Sequence, residues 1–278
     1  GGTVTNWTDY AWGSTTVSQL GTNDMPVYNY GAANYLNFNP GLNFSNSAQT
    51  LGNISVQTVT NTSYDIFTLT SGITSSGYYR VFSSSVNNTP NTSIRFWDGI
   101  GLGSTIRERE DQGLSDYQGV MAFNPLYATN SPSVMYNTFT PTTVSNGLNG
   151  GINGPAATSS TAYDQLTGGF AFGSTVFSNN GSDNPGFTGN LGETIIYGSR
   201  NLTPNERNRV DAYLAVKYGI TLDNNESYLA SNSSIVWDKT DNAAYYNNIA
   251  GIARDDMSAL NQKQSRSQIT NNANGEIT

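Results

Sequence analysis

The sequence contains no cysteine and no histidine. These absences exclude Cys–His zinc sites, Ser-His-Asp and Cys-His nucleophile systems, histidine-ligated haem and histidine pH switches. Disulfide bonds are excluded as well, so cystine gives no indication of an extracellular location. The two absences remove more functional classes than any motif in the chain adds.

Charge is also scarce. Charged residues make up 12% of the chain, and 12 Lys+Arg against 20 Asp+Glu give a net charge of −8. Phosphate binding relies on clustered basic residues, so this balance argues against nucleic acid as a partner. The densest basic cluster, Arg200, Arg207 and Arg209, alternates with Glu206 and Asp211. This alternation predicts a solvated helix face rather than a polyanion site.

Long apolar runs are absent too. No run approaches the roughly 20 apolar residues of a membrane span. No signal peptide heads the chain, which begins at Gly1 and Gly2 rather than at Met. We therefore expect a mature or excised piece of a longer protein.

The chain is rich in aromatic residues and in residues that favour turns. Aromatics make up 12%, with 17 Tyr and 29 Gly in 278 residues. This length and aromatic content predict a packed core rather than disorder. Short β-branched and aromatic runs between Gly, Asn and Pro clusters predict an all-β fold, an antiparallel β-sandwich. The predicted strands are 3–7, 34–38, 42–44, 54–60, 64–70, 78–83, 93–97, 119–123, 134–140, 169–172, 193–197 and 234–237.

One helix is predicted strongly, at about 204–218. Thr203 and Glu206 form a capping box, Pro204 occupies the first helical position, and Gly219 is placed to end the helix. We expect this helix to lie across an edge or face of one sheet. The side chains expected to be buried there are Val210, Tyr213 and Leu214.

A polar stretch at 223–226 marks a boundary. It predicts a sandwich domain over 1–222. The remaining residues, 223–278, are expected to form a C-terminal β extension or the start of a second, truncated module.

Several motifs carry a resemblance. They include N-L-T-P-N-E-R at 201–207, Y-L-A-V-K-Y-G-I at 213–220, T-V-T-N-W-T-D at 3–9 and Y-L-A-S-N-S-S-I-V-W-D at 228–238. Together they resemble LamG-like, concanavalin A-type jelly-roll modules of large secreted surface proteins of Bacteroidota. The resemblance implies a non-catalytic adhesin or surface-assembly module outside the cell, delivered by type IX secretion. Its implied partners are glycans, other surface proteins or neighbouring copies.

A calcium-assisted, carbohydrate-binding lectin module is the first alternative. Aromatic faces stack on sugar rings, and Trp12, Trp97 and Tyr79 are the predicted ligand-binding residues, although core packing is the more common role of such side chains. Loop carboxylates suit Ca²⁺, and the resemblance raises the expectation of a bound ion. Asp9 and Asp98 are its predicted ligands.

A glycoside hydrolase of concanavalin A-like fold is the second alternative. Glu108 and Glu110 are two residues apart and would share one face of a strand, as paired catalytic carboxylates require. Arginines flank them, and the remaining residues of the E-x-D-x-x-E signature are missing. Paired surface charges therefore explain them better. Glu193, at the start of a predicted strand, is interpreted as a structural acid that bonds backbone amides.

Overall fold

The structure is a computed structural model. It describes residues 2–8, 15–19, 24–30, 36–46, 48–53, 63–72, 81–85, 93–99, 106–110, 119–121, 132–141, 143–152, 157–158, 170–173, 187–198, 200–223, 226–245, 249–267 and 276–277.

Strands dominate these residues. In chain order the elements are β1 Asn6–Thr8, β2 Thr16–Gln19, β3 Val27–Asn29, β4 Gly41–Phe44, β5 Leu51–Asn53, β6 Tyr64–Ser71, β7 Phe82–Ser85, β8 Ser93–Gly99, β9 Ile106–Glu110, β10 Gly119–Met121, β11 Ser133–Phe139, β12 Thr143–Leu148, β13 Gly151–Ile152, β14 Ala157–Thr158, β15 Phe170–Phe172, β16 Gly189–Tyr197, helix α1 Pro204–Tyr218, β17 Tyr228–Leu229, β18 Ile235–Trp237, a 3-10 turn Ala243–Tyr245, β19 Ala253–Asp255, β20 Leu260–Gln262, β21 Ser265–Arg266 and β22 Glu276–Ile277.

Two antiparallel sheets form the body. The outer sheet has the order β1-β2-β5-β15-β7-β8-β9-β10, and the central sheet has the order β13-β12-β11-β6-β16-β4-β3, with β14 paired to β12. Side chains from both sheets meet in one buried core, in which Phe82 and Phe172 of the outer sheet accompany Phe44, Ile66 and other residues of the central sheet. The predicted all-β, antiparallel β-sandwich is confirmed.

The central sheet is covered on both faces, and β6 shows this most clearly. All eight of its residues are buried. Tyr64 and Ile66 contribute to the core between the sheets, whereas Phe67 and Leu69 contribute to a second core beneath α1. Side chains alternate between the faces of a strand, so a strand that serves two cores carries apolar residues on both faces.

Helix α1 has the predicted bounds and caps. The Glu206 amide donates to the Thr203 hydroxyl at 3.3 Å, and the Thr203 amide donates to the Glu206 carboxylate at 2.9 Å. Gly219 ends the helix in the left-handed conformation, with φ of 67°. Val210 and Leu214 are buried against the central sheet as predicted, while Tyr213 is only partly buried.

Beyond α1 the chain forms the predicted β extension, built from the pairs β17–β18, β19–β20 and β21–β22. Tyr228 is buried in the helix-side core, and its hydroxyl donates to the Ile220 carbonyl and accepts from the Leu222 amide.

Asn37 joins the end of α1 to the extension. It is fully buried, and its side chain donates to the carbonyl of Lys217. The Arg266 amide donates to the Asn37 side chain. The division of the chain at residue 223 stays a prediction.

Two predictions of local structure need comment. The strand predicted at 34–38 is wrong over its described part, where a helical residue, Leu36, is followed by two residues of positive φ, Asn37 and Phe38. Positive φ is incompatible with a strand. The strand predicted at 54–60 lies outside the described residues.

The basic cluster is not uniformly solvated either. The Arg207 side chain is 12% exposed, lies over the Tyr136 ring and reaches Asp211 at 3.8 Å and Glu226 at 3.6 Å. The prediction of a solvated helix face is therefore wrong for Arg207. The physical reason is that this side of α1 packs against β11 and is covered by the segment that holds Glu226.

Candidate functional site

A cleft of about 890 Å³ opens along the edge of β16. β4 pairs with β16 only over residues 189–191, whereas β6 follows β16 as far as Tyr197. Among the described strands, the side of β16 that points away from β6 therefore has no pairing partner over residues 194–197. Residues 193–197 line the cleft, so the cleft lies along the part of β16 where none of the described strands pairs with that side.

One half of the cleft is apolar and belongs to the outer sheet. Trp7 on β1, Val17 on β2 and Phe172 on β15 line it. The ring centroids of Trp7 and Phe172 are 5.4 Å apart, and Trp7 is only partly buried. Ile196 packs against the same core. This half continues the sandwich interior towards solvent and presents an accessible indole ring.

The other half is polar and belongs to α1. Glu206, Arg209, Tyr213 and Lys217 line it. They recur every three or four residues, so they lie along one side of the helix. Residues 228–231 and the β19–β20 hairpin also line the cleft. The lining therefore combines apolar side chains of the outer sheet with charged and hydroxyl groups of α1.

Glu193 lies at the centre of a hydrogen-bonded cluster in the polar half. Its carboxylate accepts from Lys217 Nζ at 2.8 Å, from the Tyr213 hydroxyl at 3.1 Å and from the Tyr218 hydroxyl at 3.2 Å. Its partners are side chains of α1, so the interpretation that it bonds backbone amides is wrong. The reason is that α1 covers this part of β16, which the sequence pattern did not reveal.

Burial and charge set the protonation of the groups around Glu193. Burial opposes the charge of Lys217, but Glu193 and Tyr213 outweigh it and raise the pKa of the ammonium group. Burial, reinforced by Glu193, raises the pKa of both Tyr213 and Tyr218. At neutral pH the cluster therefore contains a charged lysine and two neutral phenols.

A second ion pair lies at the start of α1. Arg200 donates to both carboxylate oxygens of Glu206, at 2.8 and 2.5 Å. These bonds, together with those from the Thr203 amide and hydroxyl, hold the pKa of Glu206 well below its usual value. Glu206 is thus ionised, and its carboxylate oxygens already accept hydrogen bonds from Arg200 and Thr203.

Ser231 links two further charged groups of the cleft, Arg209 and Asp255. Arg209 Nη1 donates to the Ser231 carbonyl at 2.7 Å. The Ser231 hydroxyl and amide donate to the Asp255 carboxylate at 2.6 and 2.8 Å. Because these bonds favour the ionised form, they lower the pKa of Asp255.

The structure does not test the predicted ligand-binding and metal-binding residues of the loops. Trp12, Tyr79 and Asp9 lie outside the described residues. Thr8 and Thr15, which flank the segment that contains Asp9 and Trp12, both line the cleft. The predicted roles of these three residues stay predictions.

The remaining predicted residues lie on β8 and β9, of which only the backbone is described. The register between the two strands shifts between Arg95 and Asp98. This bulge interrupts the regular alternation of side chains along β8. The ligand role of Trp97, the calcium role of Asp98 and the assignment of Glu108 and Glu110 stay predictions.

Metal binding has no support from the described side chains. Within them, no group of three or more acidic residues comes together in a way that could hold an ion. Calcium therefore stays a prediction, and both of its predicted ligands lack described side chains.

No helix in the described part of the chain is long and apolar enough to cross a membrane.

Comparison with known families matches residues 206–276 to the model of a domain of unknown function (DUF8202). This match begins inside α1 and continues through the extension. The comparison with curated proteins found no match.

Solved structures with a similar fold include three domains. Domain 4 of AbnA, a GH43 extracellular arabinanase from Geobacillus stearothermophilus, in complex with arabinotriose, is 16% identical, with a TM-score of 0.37 over 70% of this chain and 80% of that one. The CBM40 of the Ruminococcus gnavus IT-sialidase, bound to alpha2,3 sialyllactose, is 10% identical, with a TM-score of 0.46 over 64% and 96%. The binding domain of botulinum neurotoxin serotype G is 13% identical, with a TM-score of 0.48 over 76% and 50%. At these identities the likeness concerns the fold alone.

Proposed function

We propose that the chain is a non-catalytic, extracellular adhesion module that binds a glycan in the cleft along β16. The observation that supports this function best is the cleft itself, whose lining combines aromatic side chains with charged and hydroxyl groups. Its volume of about 890 Å³ lies within the usual range of ligand sites.

A sugar matches this arrangement chemically. The C–H face of a pyranose ring packs on an aromatic ring, and Trp7 offers such a ring in the apolar half. Sugar hydroxyls both donate and accept hydrogen bonds. The pair formed by Glu193 and Lys217, with the Tyr213 hydroxyl beside it, offers an acceptor and donors within a few ångströms.

The same charges argue against glycan cleavage in the cleft. A general acid of a glycosidase needs a carboxyl group whose pKa is raised. The pKa values of Glu206 and Asp255 are shifted in the opposite direction by their hydrogen-bond donors. Glu193 is held by Lys217 and two phenols. The carboxylates of Glu206 and Asp255 are therefore suited to binding rather than to proton donation.

The larger setting belongs to the same proposal. We place the module in a secreted surface protein of Bacteroidota, exported by the type IX route, where it contacts glycans, other surface proteins or neighbouring copies. In this proposal Asp9 binds a calcium ion beside the cleft, since residues on either side of the segment that contains Asp9 and Trp12 line the cleft.

A glycan array on the purified chain, run once with Ca²⁺ and once with a chelator, tests the proposal. We expect saturable binding that Tyr197→Ala weakens at least tenfold. The matched control is Tyr28→Ala, because Tyr28 is 42% exposed and Tyr197 is 37% exposed, but only Tyr197 lines the cleft.

Three other outcomes would contradict parts of the proposal. Loss of binding in Tyr28→Ala alone would move the site to the stacked rings of Tyr28 and Tyr30. Absence of binding to every glycan, with Ca²⁺ and with the chelator, would overturn the glycan-binding function and favour an assembly module. Equal binding with the chelator would remove calcium from the proposal.

A further inference from the structure

The charges that line the cleft offset one another. Its described carboxylates are those of Glu193, Glu206 and Asp255, and its described cations are those of Arg200, Arg209, Lys217 and Arg254. Glu193 forms an ion pair with Lys217 at 2.8 Å. Glu206 forms an ion pair with Arg200 at 2.5 Å. These two pairs carry no net charge.

The remaining charges of the lining are balanced as well. Arg254 pairs with Asp256 at 2.7 Å. Ser231 joins the other two, because its carbonyl accepts from Arg209 and its hydroxyl and amide donate to Asp255. Taking a charged group out of water costs free energy, which only an available opposite charge offsets. The described lining has no surplus charge of either sign to offer an ionic ligand.

The pair formed by Glu193 and Lys217 nevertheless keeps hydrogen-bonding capacity. The ammonium group has three N–H donors, and among the described residues it uses two of them, towards Glu193 at 2.8 Å and towards the Tyr213 hydroxyl at 2.7 Å. Glu193 Oε1 accepts from the Tyr213 hydroxyl at 3.1 Å, and a carboxylate oxygen can accept a second bond. Both side chains line the cleft, and about a quarter of each is exposed.

Adjacent hydroxyls of a sugar ring match such a pair. A hydroxyl both donates and accepts, so one hydroxyl can donate to Glu193 while its neighbour accepts from Lys217. Hydrogen bonds to charged groups are stronger than those between neutral groups. The two side chains can therefore bind neutral hydroxyls firmly while they neutralise each other.

From these contacts we infer that the glycan bound in the cleft is uncharged, and that Glu193 and Lys217 together bind two adjacent hydroxyls of one of its sugar rings. The inference rests on the proposed glycan-binding function and names the ligand class of the same site. The net charge of −8 would also disfavour an acidic glycan. Salt screens that long-range repulsion, so a preference that persists in about 0.5 M NaCl belongs to the lining of the cleft.

Three oligosaccharides that differ by single groups test the inference by calorimetric titration. The reference is a neutral cello-oligosaccharide. In its uronate a carboxylate replaces each 6-hydroxymethyl group. In a chito-oligosaccharide an acetamido group replaces each 2-hydroxyl, so only the terminal ring keeps adjacent hydroxyls. The wild-type chain is expected to bind the reference at least tenfold more tightly than either derivative, at low salt and in about 0.5 M NaCl.

Variants of the pair test its role. Glu193→Gln and Lys217→Gln are expected to weaken binding of the cello-oligosaccharide at least tenfold, because each loses a hydrogen bond to a charged group. They are also expected to reduce its preference over the chito-oligosaccharide, whereas a purely structural role would weaken both probes alike. The same variants are run on the glycan array, where neutral glycans are expected to give the hits and to weaken in the same way.

The matched control is Asp241→Asn. It removes one negative charge, as Glu193→Gln does, but Asp241 is exposed and does not line the cleft. We expect it to bind as the wild type does. Circular dichroism and the melting temperature of each variant confirm its folding. If Glu193→Gln does not fold, the preferences of the wild-type chain among the three oligosaccharides decide the question.

The failures of the two proposals are distinguishable. Array hits confined to charged glycans, or a uronate that binds as tightly as the cello-oligosaccharide, overturn the inference and leave glycan binding intact. Equal affinities of Glu193→Gln and Asp241→Asn overturn the role of the pair. Absence of binding both on the array and to the three oligosaccharides overturns the proposed function together with the inference.

Discussion

The carboxylate of Glu193 accepts a hydrogen bond from Lys217 Nζ at 2.8 Å, which joins β16 to the last turn of α1. Both side chains are about three-quarters buried. Because the pair lies in the wall of the cleft, it contributes to both the packing of the helix on the sheet and the shape of the proposed site.

Glu193→Gln is expected to destabilise the protein by about 1–3 kcal/mol, because it leaves a partly buried ammonium group without its anion. Lys217→Met is expected to cost a similar amount. The double variant is expected to cost less than the sum, and a double-mutant cycle of urea denaturation measures this coupling. The control pair is Arg254 and Asp256, whose side chains are 74% exposed and whose coupling is expected to be near zero. Additive effects at Glu193 and Lys217 would contradict the pairing.

Asp211 predicts a pH dependence of stability. Burial raises the pKa of its carboxyl group from 3.8 to about 7, Arg207 opposes the rise and Glu226 adds to it. The folded state therefore binds the proton more tightly than the unfolded state. The stability that tighter proton binding by Asp211 gives the folded state is fully present below pH 3.8. It is lost as the pH rises to about 7.

Asp211→Asn is expected to remove this dependence, because the amide has no proton to lose. At pH 8 the variant is expected to be more stable than the wild type by about 2–4 kcal/mol, and near pH 4 the difference is expected to vanish. Melting curves across this range measure the effect. A constant difference at every pH would show that Asp211 does not titrate in the folded state.

Gly219 gives a prediction about the end of α1. Its φ is 67°, and an added Cβ would overlap the Arg266 carbonyl oxygen. Gly219→Ala is expected to lower the free energy of unfolding by at least about 2 kcal/mol, through backbone strain and the clash with the extension. Gly251→Ala is the control, because no neighbouring atom lies within 4 Å of the position that its Cβ would occupy. Equal stability of the two variants would refute this account of the helix end.

Tyr228 tests whether the extension folds together with the sandwich. Its side chain is buried in the helix-side core, so Tyr228→Ala is expected to cost about 3–5 kcal/mol. A chain that ends at residue 222 is expected to lose cooperative unfolding for the same reason. Tyr245→Ala, at a tyrosine that is 77% exposed, is the control. A stable fragment 1–222 would support the predicted division at residue 223.

Local rules predicted the parts of this molecule that local interactions determine. The capping box of Thr203 and Glu206 and the left-handed Gly219 depend on neighbours in the chain, so the bounds of α1 were readable from the sequence. The spacing of Arg209, Tyr213 and Lys217 was readable too. What covers that face of the helix depends on tertiary packing, and no local pattern shows it.

The cleft depends on the order of strands in the sheets. Trp7 and Phe172 are far apart in the chain and line the same wall because β1, β2, β5 and β15 are neighbours in the outer sheet. Among the described strands, the side of β16 opposite β6 is unpaired beyond Leu191 because β4 is short. Neither the strand order nor the extent of this pairing can be read from a single sequence. The sequence therefore predicted aromatic ligand contacts but did not locate this cleft.

The side of β16 that no described strand pairs with over residues 194–197 has a consequence for solubility. An exposed strand edge is a template on which other chains can add strands, and native proteins commonly cover or blunt such edges. Here the edge is recessed between the Trp7 wall and helix α1. We expect the side chains of Trp7 and of α1, which line the same cleft, to hinder another chain from pairing with this edge.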